Sequence, residues 1–175
     1  KNGVKYSDPK AWDLVDRLTE AFQYNLLRAS CNIAIEKGKC EGFERTKYAD
    51  GQLPIDHYKK EVDEIVPHKQ RMAWESLRKD IAKYGLRHST LSAQMPSESS
   101  SVVSNATNGI EPPRALLSTK KSKKGPLKQV VPQYQQLKNH YTLLWDMPSN
   151  EGYINIVSMM QKFFDQAISG NWSYN

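Results

Sequence analysis

Ser89-Thr90-Leu91-Ser92-Ala93-Gln94-Met95-Pro96-Ser97-Glu98-Ser99-Ser100-Ser101-Val102-Val103-Ser104-Asn105-Ala106-Thr107-Asn108-Gly109 is the stretch on which the fold turns. Its first part is compact, rich in small side chains and bounded by Pro96, the pattern of a strand buried on both faces. It then runs into serines and a helix, so a strand-loop-helix junction is expected over about 89–108. A helix opening there leaves its first N–H groups without intrahelical partners, and its dipole adds about half a positive charge. Hydroxyls of Ser97, Ser99 and Ser100 add short neutral donors, which together suit a phosphate. The competing reading is a serine-rich cap that satisfies the helix and binds nothing. Glu98 opposes an anion if its carboxylate points inward, yet an acid in the first turn also suits the dipole.

Asn105-Ala106-Thr107-Asn108-Gly109 has two readings as well. It lines a pocket with amides and a hydroxyl, or it ends a helix with Gly109 in the left-handed region. Ile110-Glu111-Pro112-Pro113-Arg114 is extended, because residues before Pro avoid the α region.

Upstream, Asp8-Pro9 starts a helix. Ala11, Leu14, Val15, Leu18, Phe22, Leu26, Ala29 and Ile33 form its apolar stripe, and Gly38 closes it. A short helix is expected from Pro54-Ile55-Asp56 through Lys59-Lys60-Glu61 to Pro67. Another carries Trp74, Leu77 and Ile81 and closes at Gly85. Downstream, Ala115–Thr119 and Leu127–Val131 read as strands around a lysine-rich turn. Tyr134–Trp145 reads as a helix. Asn150 caps a last one with Ile154, Val157, Met160, Phe164, Ala167 and Ile168 in its stripe. Helices outnumber strands, which points to an α/β layer or barrel.

The 175 residues suffice for one domain, with 38% hydrophobic and 25% charged residues excluding collagenous, disulfide-rich and wholly disordered classes. No run approaches the roughly 18 apolar residues of a membrane helix, and the opening residues lack the pattern of a secretory or transit peptide. A first residue of Lys rather than Met suggests a piece of something longer or a processed product. The net charge of +6 favours anionic partners without choosing among them.

His57, His68, His88 and His140 are scattered, so no metal site is expected. Cys31 falls near the first helix's stripe and reads as a buried, inert thiol, and Cys40 has no redox partner beside it. Two cysteines in this pattern suit a reducing cytosol. Lys120, Lys121, Lys123, Lys124 and Lys128 make a basic hairpin with no interleaved aromatics, the pattern of a solvated turn.

The run Thr90–Ser100, followed by Ser104-Asn105-Ala106-Thr107-Asn108-Gly109-Ile110-Glu111-Pro112-Pro113-Arg114, closely resembles the catalytic large (α) subunit of class I ribonucleotide reductase. The likeness covers essentially the whole chain, including Asn2–Asp8, Leu53-Pro54-Ile55-Asp56, Gln129-Val130-Val131-Pro132, Leu144-Trp145-Asp146-Met147-Pro148 and Met160-Gln161-Lys162-Phe163, in the manner of bacterial and bacteriophage members. The resemblance implies a ten-stranded α/β barrel, of which residues 1–175 are a helix-rich later part. It implies an oxidoreductase that reduces ribonucleoside diphosphates to 2′-deoxyribonucleoside diphosphates for DNA synthesis. It further implies that Pro96, Ser97, Glu98, Ser99 and Ser100 bind the substrate's diphosphate, with Ser99 standing where Thr is often seen.

By the same resemblance, the radical cysteine with its Asn and Glu, and the active-site redox cysteines, lie upstream, so no catalytic residue is assigned here. The tyrosines that relay the radical and the cysteines that accept electrons lie downstream. No cofactor is bound directly. The family depends on a small subunit carrying a metal and tyrosyl radical, on thioredoxin or glutaredoxin, and on ATP and dATP as allosteric effectors bound elsewhere. A cytoplasmic location and no membrane or specific nucleic-acid partner follow from it. Two other readings compete: a stand-alone phosphate or nucleic-acid binding module, and an inactive remnant that folds only with complementary chains.

Overall fold

A computed structural model describes residues 3–67, 69–122 and 125–173. Lys1, Asn2, His68 and Lys123-Lys124 of the lysine turn therefore lie outside the described residues, as do the side chains of Lys120, Ser122 and Leu127.

The frame is a long helix, α1 (Pro9–Lys37), against which α2 (Trp74–Tyr84) and α5 (Glu151–Gln161) pack. As expected, Asp8 caps α1 by accepting the Lys10 N–H, Pro9 sits in its first turn, and the Gly38 N–H closes it on Ala34. The buried face of α1 is not the expected stripe, of which Ala11 alone is buried. Leu18 and Phe22 are 57% and 52% exposed, whereas Asp16, Glu20, Gln23, Leu27, Ser30, Cys31 and Ala34 face inward. Apolar residues lie on both sides of α1, and the side carrying Asp16 and Glu20 wins because cations meet it.

Arg71 reaches Asp16 at 2.7 Å and Glu20 at 3.1 Å, and Lys162 reaches Asp16 at 2.9 Å and Asp63 at 3.2 Å. Glu20 also accepts the Trp74 indole N–H at 3.0 Å. Below this network the core gathers Leu27, Cys31, Phe43, Tyr48, Leu53, Trp74, Leu77, Ile81, Leu86 and Phe163.

α2 closes at Gly85 as expected, and its Trp74, Leu77 and Ile81 are buried. The stretch from Pro54 is two 3-10 turns, Pro54–Asp56 and Lys60–Glu64, rather than one helix. It exposes too little apolar surface on one face to hold a continuous helix. Tyr134–Trp145 is likewise broken: α4 spans only Tyr134–Leu137, followed by 3-10 turns at Lys138–His140 and Leu144–Asp146. From Gln135 to His140 it holds Leu137 as a single apolar residue, too little for a stripe to bury. α5 buries Gly152, Tyr153, Asn155, Ile156 and Met159 and ends at Gln161, so Ile154 is exposed and Ala167 and Ile168 lie beyond the helix. Asn150 makes no side-chain cap; its amide donates to the Ser173 carbonyl at 2.8 Å. Gly152 is required by close approach, because a Cβ there would stand 2.5 Å from the Tyr6 carbonyl oxygen.

The expected hairpin forms as β1 (Leu117–Ser122) and β2 (Gly125–Val130), antiparallel, with Leu117 opposite Val130 and Ser122 opposite Gly125. It is not buried on both faces, since Leu117 and Val130 are 52% and 54% exposed. Residues 89–95 are extended but are not a buried strand. Ser92 alone among them is buried, and the pairing they make is an isolated parallel bridge from Gln94 to Ile168. Among the described residues the only sheet is this two-stranded one, so the molecule is helix-rich and open rather than a closed barrel.

Candidate functional site

The extended segment 89–95 delivers the chain to Pro96–Ser100, and α3 (Ser99–Val103) follows as little more than one turn. All of Ser97, Glu98, Ser99 and Ser100 are solvent-exposed and Pro96 is half-buried. So short a helix has little dipole to offer, and the expected row of free amides is smaller than the pattern implied. The Ser97 N–H donates to the Asn108 carbonyl at 2.7 Å and the Glu98 N–H to Asn108 Oδ1 at 2.7 Å. The Ser100 N–H goes to the Ser97 carbonyl at 3.1 Å. The Ser99 N–H has no hydrogen-bond partner among the described residues.

The hydroxyls divide in the same way. Ser100 Oγ donates to the Ser97 carbonyl at 2.6 Å and Ser101 Oγ to the Glu98 carbonyl at 2.7 Å, so both tie the loop to itself. Ser97 and Ser99 present hydroxyls to solvent with no partner among the described residues. Of the three hydroxyls expected to act together, Ser100's is therefore turned to the backbone. Glu98 holds φ 45° and ψ −121°, a conformation costly for a side chain. Asn108 Oδ1 on its N–H and the Ser101 hydroxyl on its carbonyl are among the contacts that hold it there.

Asn105–Gly109 resolves in favour of the pocket reading. The left-handed residue after α3 is Asn105, at φ 50°, not Gly109. All five residues line a cleft of about 680 Å³ that also takes in Arg114, Lys128 and Asn171. Asn108 is thus shared between the loop and the cleft. Beyond it, Glu111 accepts from the Asn171 backbone at 3.0 Å and side chain at 2.8 Å. Tyr6 donates to the Ile110 carbonyl at 2.8 Å, and burial, then Tyr153 and Glu111, push its hydroxyl up to about 12. It remains a proton donor at every physiological pH.

One arrangement had no sequence signal strong enough to find it. Asp165, in the turn after α5, accepts the Tyr48 hydroxyl on one oxygen and the Leu91 and Ser92 N–H groups on the other, at 2.8 and 3.2 Å. Its own N–H donates to Ser92 Oγ at 3.0 Å. A lone Asp after an apolar helix looks like any surface acid. Burial pushes its carboxyl above the ordinary value, opposed by those amide donors.

Cys31 is fully buried, and burial raises its thiol pKa; Cys40 is half-buried. Among the described residues no three His, Cys, Asp or Glu side chains gather as metal ligands, and no helix is long and apolar enough to cross a membrane.

The model of the ribonucleotide reductase barrel domain matches residues 1–175. The chain belongs to that family. Within it, the chain is 60% identical over 175 residues to the ribonucleoside-diphosphate reductase subunit alpha of Haemophilus influenzae. It is 54% identical over 175 residues to the ribonucleoside-diphosphate reductase 1 subunit alpha of Escherichia coli. To the subunit alpha of Enterobacteria phage T4 it is 43% identical over 176 aligned positions. These matches cover 99–100% of this chain but 23% of each relative. Ribonucleotide reductase barrel sequence therefore accounts for every element described above, in a chain about a quarter of its relatives' length.

Proposed function

We propose that this chain is a segment of the catalytic subunit of a ribonucleoside-diphosphate reductase and that Pro96–Ser100 hold the substrate's diphosphate. The observation that carries the reading is identity of 54–61% to such subunits across all 175 residues, the phosphate-loop candidate included. The geometry supports it. Ser97 and Ser99 hydroxyls and the Ser99 amide have no partner among the described residues and lie on an exposed loop that Asn108 bonds at Ser97 and Glu98. Preorganised donors of this kind bind phosphate oxygens without having to leave other partners.

In this reading the chain binds and orients while other parts of the subunit do the redox chemistry. Neither Cys31 nor Cys40 carries radical or electron transfer. The complete subunit forms the ten-stranded barrel of which this open segment is a later part. A radical-generating small subunit, thioredoxin or glutaredoxin, ATP and dATP as effectors, and the cytoplasm complete the assignment.

The test is to exchange these 175 residues for the corresponding segment of the Escherichia coli subunit alpha. The chimera is assayed for CDP reduction with that organism's small subunit and thiol reductant. Activity is expected, and Ser97→Ala/Ser99→Ala should raise KM for CDP by about 100-fold or more, two hydrogen bonds to a charged group being worth roughly 1.5–3 kcal/mol each. A folded chimera with no activity would remove the reading. An unchanged KM in the double variant would remove the loop's role.

A further inference from the structure

The phosphate-loop candidate is held at both ends, and the upstream hold is the less obvious. Among the described residues, the pairing that residues 91–95 make is the isolated bridge from Gln94 to Ile168. They are fixed by the turn after α5: Gln166 N–H donates to the Ser92 carbonyl at 3.1 Å and Ser169 N–H to the Gln94 carbonyl at 2.8 Å. Asp165 is the centre of that contact. Its carboxylate takes the Leu91 and Ser92 amides, while the backbone amide of Asp165 returns a bond to Ser92 Oγ. Tyr48, buried in the core, donates to the other carboxylate oxygen. The turn carrying Asp165 is itself anchored, because Lys162 and Phe163 before it are 0% and 2% exposed, with Lys162 paired to Asp16 and Asp63.

We propose that Asp165 is a positioning residue for diphosphate binding, setting the entry of the chain into Pro96–Ser100 through Leu91 and Ser92. This rests on the reading of that loop given above. Asp165 touches no substrate. It links a core-anchored turn to the segment that carries the loop, and loss of the link lets Ser97 and Ser99 drift. A misplacement of about 1 Å can cost on the order of 10²-fold in turnover efficiency. The carboxylate suits the task because its oxygens accept from three donors at once, which a hydroxyl or a single amide oxygen does not.

The experiment uses the full-length chimera with Asp165→Ala, Asp165→Asn, Tyr48→Phe and, as a destabilised control, Leu77→Ala in the core. Asp165→Ala is expected to raise KM for CDP about tenfold with a smaller change in kcat. Asp165→Asn keeps one oxygen acceptor but turns an NH2 donor toward the donors on the other side, so it should raise KM about three- to fivefold, and Tyr48→Phe about two- to threefold. Leu77→Ala should lower Tm while leaving KM unchanged. Should Asp165→Ala not fold, the volume-conserving Asn and Phe variants carry the test. Equal KM effects from Leu77→Ala and Asp165→Ala, or KM within error of wild type in every Asp165 and Tyr48 variant that folds, would overturn the proposal while Ser97→Ala/Ser99→Ala still raises KM. If that double variant also leaves KM unchanged, the loop reading fails and this inference falls with it.

Discussion

Lys162 Nζ lies 2.9 Å from Asp16 Oδ1, joining side chains 146 residues apart that are 0% and 1% exposed. The pair ties the end of α5 to α1, and Arg71 closes on Asp16 from the other side. Removing one partner strands a buried charge. Asp16→Ala should therefore destabilise the chain by about 3–5 kcal/mol. Adding Lys162→Met should return part of that loss, since it removes a buried ammonium left with Asp63 alone. Urea denaturation of the single and double variants measures both, and an additive double variant would contradict the pairing.

Asp56 accepts from Arg78 at 2.7 and 3.1 Å and from the Leu53 N–H at 2.7 Å. The Arg78 bond is the main cause holding its carboxyl below the ordinary 3.8. A depressed carboxyl contributes stability that is complete above the unfolded-state value and lost as pH falls through the folded one. Wild type should therefore lose stability on acidification below about pH 4 more steeply than Asp56→Asn. Both groups are partly exposed, so the difference should stay under about 1 kcal/mol. Denaturant midpoints across the acid range test it, and parallel curves would rule the pair out.

Asn108 holds the Glu98 amide at 2.7 Å while Glu98 sits at φ 45°. Asn108→Ala should release that amide and weaken substrate binding about tenfold, equivalent to the roughly 1.4 kcal/mol of one such bond. Glu98→Gly should raise stability by about 1 kcal/mol, because glycine takes that backbone conformation without strain. CDP kinetics in the chimera check the first expectation and thermal unfolding the second.

The two thiols should separate by reactivity. Cys31 has no exposed surface and its thiol is pushed up by burial, whereas Cys40 is half-buried. Iodoacetamide at neutral pH should modify Cys40 first and reach Cys31 only on unfolding, since the thiolate reacts and needs access. Peptide mass spectrometry over time shows the order.

What the sequence by itself determined was local or family-level. Asp8-Pro9 and Gly38 set the ends of α1, Gly85 ended α2, and the lysine-rich turn sat between two pairing segments, because caps, prolines and turns act within a few residues. The long run from Thr90 to Arg114 carried the family. Which face of a helix turns inward was another matter. Leu18 and Phe22 look like core and are exposed, while Asp16 and Glu20 look like surface and are buried, because Arg71, Trp74 and Lys162 arrive from distant parts of the chain to satisfy them. The loop shows the same division. Serines in a row announced donors, but Asn108 took the Ser97 and Glu98 amides and the Ser97 carbonyl took the Ser100 hydroxyl, partners that only the folded chain supplies. A buried charge or a backbone amide is stable only with its partner, and that partner is chosen by packing across the whole chain.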